Sequence, residues 1–377
     1  MQEQIRTIFI SAAEASGDMH AAALIRQIRH QFPNTRCEGL GGPRMAEAGC
    51  CILEDLVSRS AMLTHAVAQV PFYFKLLRRI KEHFNQQRPD MVILVDSFAW
   101  NSHVGKAARR LGIPVLYYIP PQLWAWGAWR VGKLRRCADK VACIFPFEQD
   151  WFTRRHIDAN YVGHPLFDDS HPVDLPKLPA HTAHFPTIAL LPGSRGHEID
   201  RLWQPMQTIA RRIKDRHPQA RFQTAAPDSR KAELLRASAD ENLNIDIRHM
   251  SIEAATRYAD LALVASGTAT LEVAAQSCPM VVLYHVNWLH WYLAGKWLVK
   301  TPHISLVNIL AKKELVPEFI PFRGRTSEVA AAALAILEDD PKRQALRQDL
   351  KQLLQPILTP GAARHVTEIM NQMFPIY

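Results

Sequence analysis

Met91-Val92-Ile93-Leu94-Val95-Asp96-Ser97-Phe98-Ala99-Trp100-Asn101 opens with five consecutive apolar residues and turns polar at one aspartate. An unbroken apolar run of that length suits a strand buried on both faces, inside a parallel sheet covered by helices. Asp96 then stands at the carboxyl end of the strand, and a helix follows over about 101–111. The same grammar extends in both directions. Strands are expected at 7–11, 37–40, 115–119 and 141–145, and again at 187–191, 221–225, 245–248, 261–265 and 280–284. Such runs alternating with longer helical patterns mark a doubly wound α/β fold. Residues 165–186 hold five prolines in 22 residues and no glycine, where ~5% usage would place about one. That density makes a semi-rigid connector. The expected organisation is therefore two Rossmann-like domains, 1–165 and 187–340, a Pro-rich linker at 166–186, and a helical tail at 341–377 divided by Pro341, Pro356 and Pro360. Two such domains are expected to face each other across a cleft, with ligands beyond the carboxyl ends of the strands.

The length of 377 residues allows two or three domains at ~150 residues each. Apolar residues at 48% and charged residues at 21% exclude disordered, collagenous and low-complexity classes. A net charge of +9 favours anionic partners without choosing among phosphates, nucleic acid and an acidic membrane face. The six cysteines, 37, 50, 51, 137, 143 and 278, include no C-x-x-C spacing, so neither a zinc site nor a disulfide framework is expected. The polar start, Met1 to Arg6, does not read as a signal peptide. Residues 273–295 lack Asp, Glu, Lys and Arg, yet Pro279 breaks them. They read as a helix end, a turn, a buried strand and an aromatic segment rather than a membrane span.

Four loops follow strands and open helices. Ala13-Glu14-Ala15-Ser16-Gly17-Asp18 carries two carboxylates, which suit hydroxyls better than bare phosphates. Gly17 permits close backbone approach, and Ser16 or Asp18 could simply cap the helix. Asp96 could take a proton from a sugar hydroxyl or cap the helix after it. Pro192-Gly193-Ser194-Arg195-Gly196 is neither a Walker loop nor a dinucleotide fingerprint. Arg195 offers a planar fork of donors for a phosphate, unless the segment is only a surface turn. In Ser266-Gly267-Thr268-Ala269-Thr270-Leu271-Glu272, exposed amides and hydroxyls at a helix start make a seat for a diphosphate. Glu272, a turn further in, could hold a ribose diol, while a plain Ser/Thr-capped helix uses the same residues.

Residues 61–81 are apolar with a basic edge, among them Phe72, Phe74, Leu77 and Arg78, and they fit either an interfacial helix or a core helix. Residues 288–300 place tryptophans beside lysines, as at a headgroup interface or a domain-facing cleft. The Trp124-Ala125-Trp126 loop with its following Arg and Lys residues imitates a single-strand nucleic-acid platform. No nucleic-acid motif accompanies it, so no nucleic-acid partner is expected. His164, in Gly163-His164-Pro165, ends the first domain.

Taken together, these segments resemble one family, the lipid-A-disaccharide synthases, glycosyltransferases of GT-B architecture. The resemblance rests on Glu14-Ala15-Ser16-Gly17-Asp18, Gly42-Pro43-Arg44-Met45, Trp124-Ala125-Trp126, Phe145-Pro146-Phe147-Glu148, Gly163-His164-Pro165, Leu190 through Gly196 and Ala265 through Glu272. Ser305 through Leu310 and Glu314 through Glu318 complete it, all in family order. It implies transfer of 2,3-diacylglucosamine from its UDP conjugate to 2,3-diacylglucosamine 1-phosphate, giving the β-1,6-linked disaccharide 1-phosphate and UDP. It implies inversion, no metal and no organic cofactor. It also implies a cytoplasmic enzyme, peripheral on the inner membrane of a Gram-negative bacterium, with a homodimer allowed. Asp96 matches the proposed catalytic aspartate and Glu14 a second carboxylate. Arg195, Ser194, Gly267, Thr268, Ala269, Glu272 and Asn308 fall on the UDP side. Ser16, Gly17, Asp18 and Asn101 fall on the acceptor loops, and Phe72, Phe74, Leu77 and Arg78 on the face toward membrane and acyl chains. The resemblance raises the interfacial reading of 61–81. Two departures stand out. Ser97-Phe98-Ala99-Trp100-Asn101 replaces a frequent Ala-Pro-Asp-Phe-Asn, which leaves Asp96 the only acid of its loop, and Ala13 replaces a glycine. Rival readings are another UDP-sugar enzyme, such as an epimerase or a murein-type transferase, and a non-catalytic lipid- or nucleotide-binding protein.

Overall fold

The computed structural model describes residues 5–62, 70–125, 127–168, 185–285 and 303–374. Trp126, most of the linker and the aromatic segment 288–300 lie outside them. The chain divides into two compact units, 1–169 with 357–377, and 170–356.

In the first unit β1 (Thr7–Ala12), α1 (Ala15–Gln31), β2 (Arg36–Gly41), α2 (Pro43–Glu47), β3 (Cys51–Asp55), α3 (Leu56–Met62), α4 (Val70–Gln87), β4 (Met91–Val95), α5 (Phe98–Arg110), β5 (Val115–Tyr118), α6 (Val131–Arg135), β6 (Lys140–Cys143), α7 (Pro146–Thr153) and β7 (Asp158–Tyr161) alternate along the chain. The strands form one parallel sheet ordered β3-β2-β1-β4-β5-β6-β7. Every residue of β4 is buried, as its unbroken apolar run requires. Phe9 meets Phe84 edge-on at 4.9 Å in the helix-covered core. Edge strands β3 and β7 were not expected from the sequence.

The second unit repeats the plan with β8 (Thr187–Leu191), α8 (Gly196–Arg216), β9 (Arg221–Ala226), α9 (Ser229–Ala237), β10 (Asp246–His249), α10 (Ile252–Thr256), β11 (Leu261–Ala265), α11 (Ala269–Ala275), β12 (Met280–Leu283), α12 (Leu306–Ala311), β13 (Glu318–Phe319) and α13 (Thr326–Leu337). Its parallel sheet runs β10-β9-β8-β11-β12-β13. A shared bolt underlies both sheets. Just before β4, the Asp90 carboxylate accepts the Thr7 amide at 2.8 Å while its own amide donates to Thr7 O at 2.9 Å. Just before β11, Asp260 does the same to Thr187, at 2.9 and 2.8 Å.

The segment 341–377 is not one tail. α14 (Asp340–Leu354) packs on α11 and α13, and its buried Arg347 donates to Ala259 O at 2.8 Å. α15 (Ala362–Met373) packs instead on α1 of the first unit. Among the described residues no helix is long and apolar enough to cross a membrane.

Candidate active site

Strand order reverses between β1 and β4 in one sheet and between β8 and β11 in the other. In open parallel sheets, ligands collect outside the carboxyl ends of the strands at such points. All four loops singled out in the sequence leave the sheets there.

At the first switch point, Ala12 stands opposite Val95 in register, so the Glu14 and Asp96 loops emerge side by side. Gly17 lies in the contact, where a Cβ would stand 3.5 Å from Val95 O and 3.8 Å from Asp96 Cβ. Asp96 and Ser97 both adopt left-handed backbone, at φ 51° and 46°, a conformation that costs an L-residue unless its surroundings fix it. Here they do. The Asp96 carbonyl accepts the Tyr117 hydroxyl at 2.6 Å and Asn101 Nδ2 at 2.8 Å, and its amide donates to Tyr118 O at 3.1 Å. Asn101 also donates to Ser11 O and Val95 O and accepts the Ser11 hydroxyl. Wholly buried, it staples β1 to β4 rather than meeting a ligand. Asp18 is similarly committed. Its buried carboxylate accepts the amides of Gly42, Arg44 and Met45 at 2.8, 3.1 and 3.2 Å, and so seats the Gly42-Pro43-Arg44-Met45 turn. Glu14 and Ser16 are exposed at the start of α1, and Asp96 is half-buried.

At the second switch point, Gly193 has φ 108°, and a Cβ there would collide with Glu198 Oε2 at 2.3 Å. That oxygen accepts the amides of Ser194 and Arg195 at 3.1 and 3.3 Å, so those two donors are closed to a ligand. The Arg195 side chain is 65% exposed and 3.7 Å from Glu198 Oε1, leaving most of its fork outward. After β11, the first amides bonded within the turn are those of Thr270, Leu271 and Glu272. Those of Gly267, Thr268 and Ala269 have no partner among the described residues, and Gly267 has open space where a Cβ would stand. Burial lifts the Glu272 carboxyl to about 7. Asn308 is wholly buried. It accepts the amides of Leu315 and Val316 and donates to Val316 O and Glu318 Oε2, which fills its four hydrogen-bonding positions. Among the described residues no cluster of His, Cys, Asp and Glu could hold a metal.

A family model described as lipid-A-disaccharide synthetase matches residues 8–370. The chain belongs to the lipid-A-disaccharide synthase family. It is 35% identical over 368 residues to the lipid-A-disaccharide synthase of Anaeromyxobacter dehalogenans strain 2CP-C, covering 96% of each chain. It is 36% identical over 338 residues to lipid-A-disaccharide synthase 1 of Legionella pneumophila, covering 86% of each. Membership makes it a glycosyltransferase of lipid A biosynthesis. Among solved structures it resembles Acinetobacter baumannii MurG (TM-score 0.55, 19% identity, 98% of this chain and all of the other). It also resembles the UDP-GlcNAc 2-epimerase of Neisseria meningitidis (TM-score 0.64, 10% identity, 97% and 99%). These likenesses place the two parallel-sheet units in the GT-B architecture.

Within this synthase family member, α4 divides the residues expected to face a membrane. Leu76, Ile80 and Phe84 point inward. Phe72 lies 3.8 Å beneath the Arg59 guanidinium, and both it and Leu77 pack partly on the core. Phe74 is 71% exposed, and Arg78 pairs with Glu82 one turn on at 3.0 Å. The part of the segment from 63 to 69 lies outside the described residues. Sequence reasoning gave no duty to Glu148, Glu198, Glu318 and Asp168, buried or half-buried carboxylates that organise the motifs. Glu148 and Glu198 stand third in helices α7 and α8, a capping-box position whose spacing was there to be read.

Proposed function

We propose that the enzyme condenses UDP-2,3-diacylglucosamine with 2,3-diacylglucosamine 1-phosphate, giving the β-1,6-linked disaccharide 1-phosphate and UDP. An α-linked donor and a β-linked product require inversion, hence a single in-line displacement. That step needs a base for the acceptor 6-hydroxyl and stabilisation of the departing diphosphate. We assign the base to Asp96, with Glu14 beside it to orient the acceptor. The observation that carries the assignment is the backbone of Asp96, strained yet held by Tyr117, Asn101 and Tyr118 at the switch point. Ser16 and Gly17 shape the acceptor side, while Asp18 and Asn101 act through the backbone they hold. Diphosphate charge falls to the Arg195 fork, with the Ser194 hydroxyl next to it in the chain, and to the amides of Gly267, Thr268 and Ala269. Glu272 accepts from the ribose hydroxyls, and Asn308 shapes the segment up to Glu318. Neither metal nor organic cofactor enters this scheme.

Both substrates carry acyl chains, so the enzyme works at the cytoplasmic face of the inner membrane, with Phe74 and the cations of α4 toward the lipid. The test is UDP release by purified protein given both lipids. Release that requires the acylated acceptor supports the proposal. Release without acceptor points to an epimerase-like enzyme, and no release to a binding protein.

A further inference from the structure

The loop after β5 plays no part in that scheme, yet it leaves bonded to the Asp96 loop and returns beside the first residue of the helix that follows that loop. It departs at Tyr118, whose carbonyl accepts the Asp96 amide. It returns at Arg130 and Lys133, whose cationic heads lie 5.7 and 5.4 Å from the Phe98 ring centre. Half-buried Trp124 lies between those ends in the chain. Its indole N–H donates to Glu148 Oε1 at 2.8 Å, and Glu148 Oε2 accepts the amides of Ile144 and Phe145, both at 3.0 Å. Glu148 is wholly buried, and no cation among the described residues shifts it. A buried carboxylate without a cation is costly. Capping α7 needs only Oε2, which a glutamine oxygen would replace. What the second oxygen adds is a fixed indole, braced edge-on by Phe147 at 4.9 Å.

We propose that Glu148 is a positioning residue whose carboxylate holds the Trp124 indole as a stacking platform for the pyranose ring brought to Asp96. This rests on the sugar-transfer reading above. An indole face carries negative quadrupole charge, and the C–H face of a pyranose meets it flat. That contact depends on ring orientation, whereas contact with an acyl chain does not, so a hydrogen-bonded indole favours the sugar. Burial lifts Glu148 to about 7 against the pull of its three donors. Protonation releases the indole as pH falls through that value. Two buried titratable neighbours, Cys143 and His164, stay uncharged there. Burial raises the Cys143 thiol at the end of β6 and lowers His164, whose ring is 5.2 Å from Phe145, to about 3.

The test uses full-length protein carrying 5-fluorotryptophan, with the Trp124 resonance identified by its loss in Trp124→Phe. In the unaltered protein this resonance should titrate near pH 7 and shift on adding glucosamine 1-phosphate, which has no acyl chains. In Glu148→Gln, whose amide oxygen still caps α7 while its NH2 opposes the indole N–H, the titration should vanish and the sugar-induced shift shrink. A resonance indifferent to pH and to glucosamine 1-phosphate, or answering only to a fatty acid, overturns the platform. UDP release is measured on the same sample. Absent release with a retained sugar shift counts against the reaction and not against the platform.

Discussion

Asp96 shows how a single residue's backbone bears on chemistry. Aspartate and asparagine tolerate left-handed φ better than most residues, so Asp96→Asn keeps the loop and removes only the base. Turnover should fall by about 10²–10⁴-fold with the melting temperature unchanged, as checked by UDP release and calorimetry. Near-native turnover would remove Asp96 from the role of base. Glu272 supplies a second test at this scale. Its folded value of about 7 exceeds its ordinary 4.5, so its contribution to stability is full below 4.5 and lost as pH rises through 7. Relative to Glu272→Gln, the native protein should lose roughly 3 kcal/mol between pH 4.5 and 8, read by urea unfolding. Affinity for UDP should move oppositely, falling more steeply below pH 7 in the native protein than in the variant, whose remaining pH dependence is that of the UDP terminal phosphate. At this scale the sequence located the loops but not the duties within them. Asp18, Asn101 and Asn308 occupy motif positions expected to meet ligands, yet their polar atoms satisfy groups of the protein itself, mostly backbone. A carboxylate or amide suits either task, and only the fold decides which partner arrives.

Elements were legible where burial imposes an unbroken pattern. β4 and β11 are continuously apolar, β8 is so after Thr187, and all three stand where expected, whereas β3 has exposed or half-buried positions throughout and β13 spans two residues, too little to leave a signature. α4 was ambiguous for a physical reason, since a core helix and an interfacial helix share the same apolar spacing. The structure separates the two faces, which makes the membrane question testable with single residues. Phe74→Ser removes exposed apolar surface only, so it should weaken co-sedimentation with anionic vesicles and leave thermal unfolding unchanged. Phe84→Ala empties a core position against Phe9 and should cost about 3–5 kcal/mol without changing vesicle binding per folded molecule. Replacing Phe72, Phe74 and Leu77 together would confound the two effects, because Phe72 and Leu77 help to cover the core. Vesicle binding indifferent to Phe74→Ser would place lipid contact elsewhere.

At the scale of the whole chain, the path ends where it began. After α14 in the second unit, residues 357–377 belong to the first, a relation that local pattern does not encode because it links residues nearly 200 positions apart. Asp168 fixes this return. One of its carboxylate oxygens accepts the amides of Gly361 and Ala362 at 2.9 and 2.7 Å, and the other accepts that of Ala363 at 3.1 Å. His365 adds a contact to Val162 O at 2.8 Å, and α15 then lies on α1, the helix whose start carries Glu14. Losing a helix cap of this kind costs about 1–2 kcal/mol. Because cap and helix both belong to the first unit, the loss should fall there alone. With two units, unfolding need not be two-state, and a ligand raises only the transition of the unit that binds it. Calorimetry with and without UDP would therefore assign the transitions, with UDP raising that of the second unit. Asp168→Ala should lower the other transition and leave the UDP-sensitive one in place. A fall of both together would mean that α15 stabilises more than the unit it packs on.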